Sequence, residues 1–491
     1  MMAAPLNMLI VGAGFGGLGA AVHRRVSGDD NFLLIEQAGG VGGTWWANRY
    51  PGAACDIPSH LYSFSFAPHA QWTRKYPGQR ELEAYLNDCV QRFGLAPRLR
   101  LHTRLSHLHW DEAQRLWRAR LLDAAGQEHE LLTRTVTLAT GPLSRPVTPA
   151  IEGLPHFRGP VIHTARWPDG WDATGRRIGV IGTGASAIQL VPQLAPQARQ
   201  LTVFQRNAPW IMPRGDAPIG APMRWALAHV PGLRHAWRAA IYAQHELRAP
   251  AFTRRPQWLR ALEPLALRHL RKQVPAGPLR DALTPHYRMG CKRILIADDY
   301  YPTLSLPQVS LETAPIAEIE QHGVRLADGR RVALDALIAA TGFDAAELKP
   351  PCPVIGPQGR TLHALWAQAP EGYLGTMVAG YPNLFTVIGP NTVLGHNSMV
   401  FVIESQLAFI DDAMRRLVAH AWLSPTADAQ ARFNAELGER LQRTVWATGG
   451  CTSWYQTRAG RITTLWPGST LEYRRRTRRV ATHDFEFALA K

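Results

Sequence analysis

Gly12-Ala13-Gly14-Phe15-Gly16-Gly17 follows an apolar run at 8–11 and opens an alanine-rich stretch that reads as a helix to about Arg25. A second apolar run, 32–35, ends at Glu36. Strand, glycine-rich turn, helix and strand in this order make the nucleotide-binding half of a doubly wound α/β fold. Glycines at 12, 14 and 17 permit a tight turn, close approach of backbone to a pyrophosphate, and close helix–strand packing. The helix N-terminus offers unpaired N–H groups and the positive end of a dipole to the phosphates. Glu36, at the end of the second strand, is placed to accept hydrogen bonds from two ribose hydroxyls. A bare glycine pattern is a weak signal, but strand, helix and terminal acid in register make it strong.

The pattern returns at 177–206. A strand at 178–181 leads into Gly182-Thr183-Gly184-Ala185-Ser186-Ala187, then a helix, a strand at 201–204, and Arg206. Gly12 to Glu36 is 24 positions, and Gly182 to Arg206 is also 24. The residue that meets the ribose is therefore an acid in one copy and an arginine in the other. A carboxylate suits free hydroxyls and repels a 2′-phosphate, whereas a guanidinium attracts it. The pair predicts FAD in the first cradle and NADP(H) in the second. The expected fold class is α/β, with two Rossmann-like dinucleotide-binding domains. Disulfide reductases of similar layout carry a CxxC pair beside the flavin, and none occurs here. Electrons must then pass to something small, oxygen or a soluble acceptor.

Composition bounds the rest. With 491 residues, 46% hydrophobic and 19% charged, the chain is neither disordered nor fibrous. No run of about 18 apolar residues suggests a membrane span, and the glycines after position 11 argue against a secretory leader. Cysteines 55, 89, 291, 352 and 451 are odd in number and scattered. Such usage fits a reducing cytoplasm and predicts neither a disulfide scaffold nor a zinc site. No histidine pair has HxxxH or HExxH spacing, so no metal is expected.

The formal charge of +16 is concentrated. Residues 214–293 hold 15 basic and four acidic side chains, and 474–479 add five arginines. Trp225, Val230, Leu233, Trp237 and Ile241 fall near helical spacing in the first segment, which reads as a helical insert at about 215–290. Its simplest reading is a solvated face beside a phosphate-bearing cofactor; the alternative is an anionic partner such as a membrane surface or nucleic acid. No nucleic-acid module appears.

Two further stretches carry a family resemblance. Residues 42–56 run Gly42-Gly43-Thr44-Trp45-Trp46-Ala47-Asn48-Arg49-Tyr50-Pro51-Gly52-Ala53-Ala54-Cys55-Asp56, and 157–168 run Phe157-x-Gly159-x-x-x-His163-x-x-x-Trp167-Pro168. With both cradles they resemble the type I Baeyer–Villiger monooxygenases, a branch of the class B flavoprotein monooxygenases. Ala139-Thr140-Gly141, Ala340-Thr341-Gly342-Phe343, Lys292-Arg293, Gly389-Pro390-Asn391 and Ser453-Trp454-Tyr455 extend the likeness along nearly the whole chain. The flavin monooxygenases that oxidise nitrogen or sulfur share the cradles but generally lack the Trp-Pro ending. Pro142 and Ala54 depart from residues common among relatives, which bears on the flavin pocket and substrate range.

The resemblance implies an FAD- and NADPH-dependent enzyme that uses O2, through a flavin C4a-peroxide, to insert oxygen beside the carbonyl of a small ketone. It implies Arg293 as the catalytic cation and Asp56 as its partner. Gly43, Thr44, Trp45, Asn48, Asp56 and Tyr62 resemble flavin-contacting positions. Thr183, Ala185 and Ser186 would lie at the second pyrophosphate, Arg206 and Lys292 at the 2′-phosphate, and Trp454 at the nicotinamide ribose. His163 resembles an organiser of the hinge between domains rather than a proton carrier. The motif order implies an FAD domain at 1 to about 145, completed by 334–491, around an NADP domain at about 146–333. Neither the ketone nor the oligomeric state follows from the sequence.

Overall fold

The structure is a computed structural model that describes residues 4–367 and 369–489; the expected outer limits 1 and 491 lie outside the described residues. The first glycine motif sits at the end of Leu6–Val11, the centre of an eight-stranded sheet. Leu6–Val11 is flanked in parallel by Phe32–Ile35 and Glu128–Leu138. Glu128–Leu138 also pairs in parallel with Leu384–Thr386, from the far end of the chain. An antiparallel meander, Arg104–Asp111 and Leu116–Leu122, extends the sheet from Glu128–Leu138. Met8, Leu9 and Ile10 are fully buried, as strands covered on both faces require. Helix Phe15–Val26 buries its glycine-rich start against the sheet and packs on the long helix Met399–Arg416. That contact is tight: a Cβ on Gly19 would come within 2.7 Å of Leu407.

A second, wholly parallel sheet carries the second motif. Its order is Val309–Glu312, Gln200–Phe204, Arg177–Ile181, Ala336–Ala339, Val161–His163. Helix Ala185–Leu194 follows Gly184, as the spacing predicts. Ala336–Ala339 lies just past the expected boundary at 333. Its four residues are buried and register with both Arg177–Ile181 and Val161–His163, so this sheet extends to Ala339. His163 ends Val161–His163 opposite Ala339. Its Nδ1 accepts the Ala165 N–H at 3.1 Å, and its ring lies 6.0 Å edge-on from Phe343. The ring thus sits against the Ala340–Phe343 return between the two sheets, in a place suited to orienting the connection.

The basic segment is helical, mainly in Ala221–His229, Leu233–Glu246 and Glu263–Gln273. Gly232 breaks the first two with a left-handed φ of 77°, so the apolar spacing read from 225 to 241 does not form one continuous stripe. Trp225 and Trp237 are 60% and 43% exposed. No described helix is long and apolar enough to cross a membrane, and no described group of acidic, histidine or cysteine side chains could hold a metal ion.

Candidate active site

Both cradles are built with the same clearances. Gly12 (φ 100°) and Gly182 (φ 111°) occupy a conformation that side chains resist. A Cβ on Gly12 would stand 2.7 Å from the Ala139 carbonyl oxygen, and one on Gly182 would stand 2.5 Å from that of Ala340. At Gly17 the Cβ would collide with the Gly12 carbonyl at 1.7 Å. Gly14 and Gly184 are the residues before their helices, whose first N–H groups lack intrahelical partners. Glu36 is buried beside the first turn, with Oε2 accepting the Ala13 N–H at 2.8 Å and Oε1 the Ala38 N–H at 2.9 Å. Each carboxylate oxygen keeps a further acceptor site for a ribose hydroxyl.

The second cradle ends in cations rather than an acid. Arg206 is exposed, Lys292 is half-buried, and neither meets a carboxylate among the described residues. Burial first, and then the positive charge of Arg206, pull the Lys292 pKa below its ordinary value. Two neighbouring cations with no anion form a site that an anion relieves. These residues fit a 2′-phosphate, and Glu36 does not. Thr183 Oγ1 donates to the Asn207 carbonyl at 3.1 Å, bracing the loop that carries Arg206.

The segment 43–62 connects the cradles. Gly43 touches Gly14: a Cβ on it would lie 3.0 Å from the Gly14 Cα. It precedes the single turn Thr44–Ala47, and Asn48 Nδ2 closes that turn on the Thr44 carbonyl at 2.9 Å. Trp45 is buried, with its ring edge-on to Tyr62 at 5.8 Å, and Tyr62 in turn lies edge-on to Phe15 at 5.1 Å. Trp46 instead faces the Arg49 guanidinium, 3.7 Å away.

Further along, Tyr50 Oη donates to Gln189 Oε1 at 2.8 Å, and Gln189 Nε2 donates to the Ala54 carbonyl at 2.9 Å. Burial pushes the Tyr50 hydroxyl up to about 12, against the pull of a hydrogen bond with Ser186. Ser186 and Gln189 belong to the second cradle's helix, so the first motif is bolted directly to the second nucleotide site. Gln189 carried no sequence signal, because nothing in its spacing distinguishes it from any polar helix residue.

Asp56 follows that bolt and meets Arg293. The guanidinium donates from Nε at 2.7 Å, and its Nη2 lies 2.6 Å from the same Oδ2. The carboxylate raises the Arg293 pKa further above its ordinary value, so the cation is permanent. Its side chain is 32% exposed, which leaves it able to meet a small molecule. Tyr455 is fully buried nearby, and burial pushes its hydroxyl up to about 12 while the Arg293 charge opposes that rise. Trp454, part-buried, lies 4.4 Å from the Tyr455 ring.

A disulfide joins Cys291 to Cys451. This corrects the expectation that every cysteine is free: the partners are 160 residues apart, a separation that no spacing rule detects. The bond pins the chain one residue before Lys292-Arg293 to the chain two residues before Ser453-Trp454-Tyr455. Cys55, Cys89 and Cys352 are free and buried. Thiol titration of the denatured protein is therefore expected to find three thiols without reductant and five with it. Five in both conditions would remove the cross-link.

Comparison with known proteins follows this geometry. Residues 6–244 match the family described as pyridine nucleotide-disulphide oxidoreductase. A Baeyer-Villiger monooxygenase of Streptomyces coelicolor is 43% identical over 484 residues, 98% of this chain and 92% of that protein. A Baeyer-Villiger monooxygenase of Pseudomonas aeruginosa is 43% identical over 96% of this chain and 89% of that protein. Among solved structures, an oxidised steroid monooxygenase bound to NADP is 32% identical over 99% of this chain and the whole of that one, with a TM-score of 0.86. A closed cyclohexanone monooxygenase superposes over both whole chains with a TM-score of 0.89 at 27% identity. Near-complete coverage at these identities, added to two glycine cradles and the arginine–aspartate pair beside their junction, places the chain in the Baeyer–Villiger monooxygenase family.

Proposed function

We propose that the protein is an FAD-containing, NADPH- and O2-dependent monooxygenase that inserts one oxygen next to a ketone carbonyl, giving an ester or lactone. The observation that carries this reading is the Arg293–Asp56 pair, a permanent cation fixed beside the junction of the two cradles. FAD bound there would supply the two-electron chemistry that links NADPH to O2. The chain's own residues bind, orient and stabilise. Gly12, Gly14, Gly17 and Glu36 hold the flavin nucleotide, with Gly43, Thr44, Trp45, Asn48, Asp56 and Tyr62 along its inner end. Gly182, Thr183, Gly184, Ala185 and Ser186 hold the NADPH pyrophosphate, Arg206 and Lys292 its 2′-phosphate, and Trp454 its nicotinamide ribose.

Oxygen insertion beside a carbonyl passes through a tetrahedral adduct with an anionic oxygen. A fixed guanidinium stabilises that charge without reorganising at the moment of reaction. Asp56 holds the guanidinium in place and leaves part of its donor fork free.

The domain division belongs to this proposal: an FAD domain at 1 to about 145 and again after about 342, with the NADP domain and its insert between. Cytoplasmic location also belongs to it, since NADPH and three free thiols suit a reducing compartment. The Cys291–Cys451 bond is then the part of the chain whose state follows that compartment's redox poise.

Purified protein is expected to be yellow, and to oxidise NADPH in air faster when offered its ketone. The test is identification of an ester or lactone across linear, cyclic, aryl and steroid ketones. Sulfoxide or N-oxide formation with no ester from any ketone would overturn the reading.

A further inference from the structure

Residues 254–272 form the short helix Gln257–Arg260 and the longer Glu263–Gln273. Leu259, Ala266, His269 and Leu270 are buried and anchor both to the protein. The residues this segment leaves exposed are unusual for a protein surface. Trp258 on the first helix, Leu262 just before the second and Leu265 in its first turn are 49%, 40% and 46% exposed. Arg254, Arg255, Arg260, Arg268, Arg271 and Lys272 surround them and are all exposed. None forms an ion pair among the described residues, whereas Arg440 and Arg476 in the C-terminal region are both held by Glu436 and Glu472. Glu263, the one acid in the stretch, accepts the Met289 N–H. The three tryptophans exposed among the described residues, 225, 237 and 258, all lie in this insert.

We propose that this face docks on the surface of an anionic lipid bilayer. Trp258, Leu262 and Leu265 enter the boundary between headgroups and acyl chains, while the six cations pair with lipid phosphates. Large apolar side chains ringed by unpaired cations match that interface on both counts. A second copy of the chain fits poorly, because a two-fold contact would set the cations against themselves. Nucleic acid would satisfy the cations but leave Leu262 and Leu265 without an apolar partner. With no described helix able to cross a bilayer, the contact is interfacial.

The test uses the full-length flavoprotein, sedimented with vesicles of equimolar phosphatidylglycerol and phosphatidylcholine or of phosphatidylcholine alone. At about 0.15 M salt the anionic vesicles are expected to bind roughly tenfold more protein, and about 1 M salt to release most of it. Two variants separate the contributions: Trp258→Ser with Leu262→Ser and Leu265→Ser, and Arg260→Ala with Arg268→Ala and Lys272→Ala. Each is expected to lose about tenfold in binding while keeping the wild-type melting temperature. Leu265→Ser alone, a single exposed site, should lose a smaller share and serves if a triple variant melts early. The proposal is overturned by equal binding to neutral vesicles, by no vesicle binding, or by binding that survives the loss of all three apolar groups. A single-stranded oligonucleotide bound in preference to vesicles would assign the face to nucleic acid instead. Dimerisation abolished by the apolar variant would assign it to a second copy.

Discussion

Arg293→Ala is expected to leave NADPH oxidation running and to stop ester formation. Hydride transfer requires that two bound rings lie together and builds no anionic oxygen, so it does not call on the Arg293 charge. Oxygen insertion builds negative charge on oxygen, and here the loss of a fixed donor is felt. Removing one such donor typically costs about 2.7–4 kcal/mol, a factor of roughly 100–1,000. Anaerobic bleaching of the bound flavin by NADPH should persist in the variant. In air its electrons should appear as hydrogen peroxide, with ester reduced by that factor. Asp56→Ala should fall between, because it removes the carboxylate that orients Nε and Nη2 but leaves the charge. Near-native ester output from Arg293→Ala would place the stabilising cation elsewhere.

The second large effect concerns the choice between NADPH and NADH. Arg206 and Lys292 lie close enough for one to depress the other's pKa, and neither meets a carboxylate among the described residues. A charge-assisted hydrogen bond contributes about 1.5–3 kcal/mol, and less where solvent screens it. Arg206 is exposed, so Arg206→Ala should raise the Michaelis constant for NADPH by roughly tenfold. Lys292 is half-buried, and Lys292→Ala should cost more, up to about a hundredfold. The NADH constant should barely change in either variant, since NADH carries no 2′-phosphate. Equal losses with both nucleotides would show that these cations do not read the phosphate. The opposite substitution, Glu36→Arg, should weaken flavin retention without improving NADPH binding.

The cradles were legible because backbone clearance forces their sequence. Only glycine fits where the Gly12 and Gly17 Cβ positions are occupied by main chain, so spacing alone exposes the turn, and the strand ends place Glu36 and Arg206. Arg293 and Asp56 were legible only through the family's motifs; they are 237 positions apart, and no local rule pairs them. Gln189 and the Cys291–Cys451 bond were invisible for the same reason, being contacts between distant segments. The insert was legible as helix, but its break was not. Trp225 and Trp237 stay exposed, as a solvated face requires, but Gly232 divides the segment into Ala221–His229 and Leu233–Glu246. Ala336–Ala339 shows the limit on boundaries: a chain can return to a sheet after the point where its motifs suggest departure.

The matched clearances at Gly12 and Gly182 have a consequence for redesign. In each cradle the obstructing atom is the carbonyl of the alanine that opens an Ala-Thr-Gly return, Ala139 in one and Ala340 in the other. The molecule thus uses one main-chain module twice, and in the proposed reading the nucleotide's identity rests on the side chain 24 positions downstream, helped in the second cradle by Lys292. Retuning the reductant is in that sense a change of label rather than of socket, and grafts at positions 206 and 292 can proceed with residues 182–187 untouched.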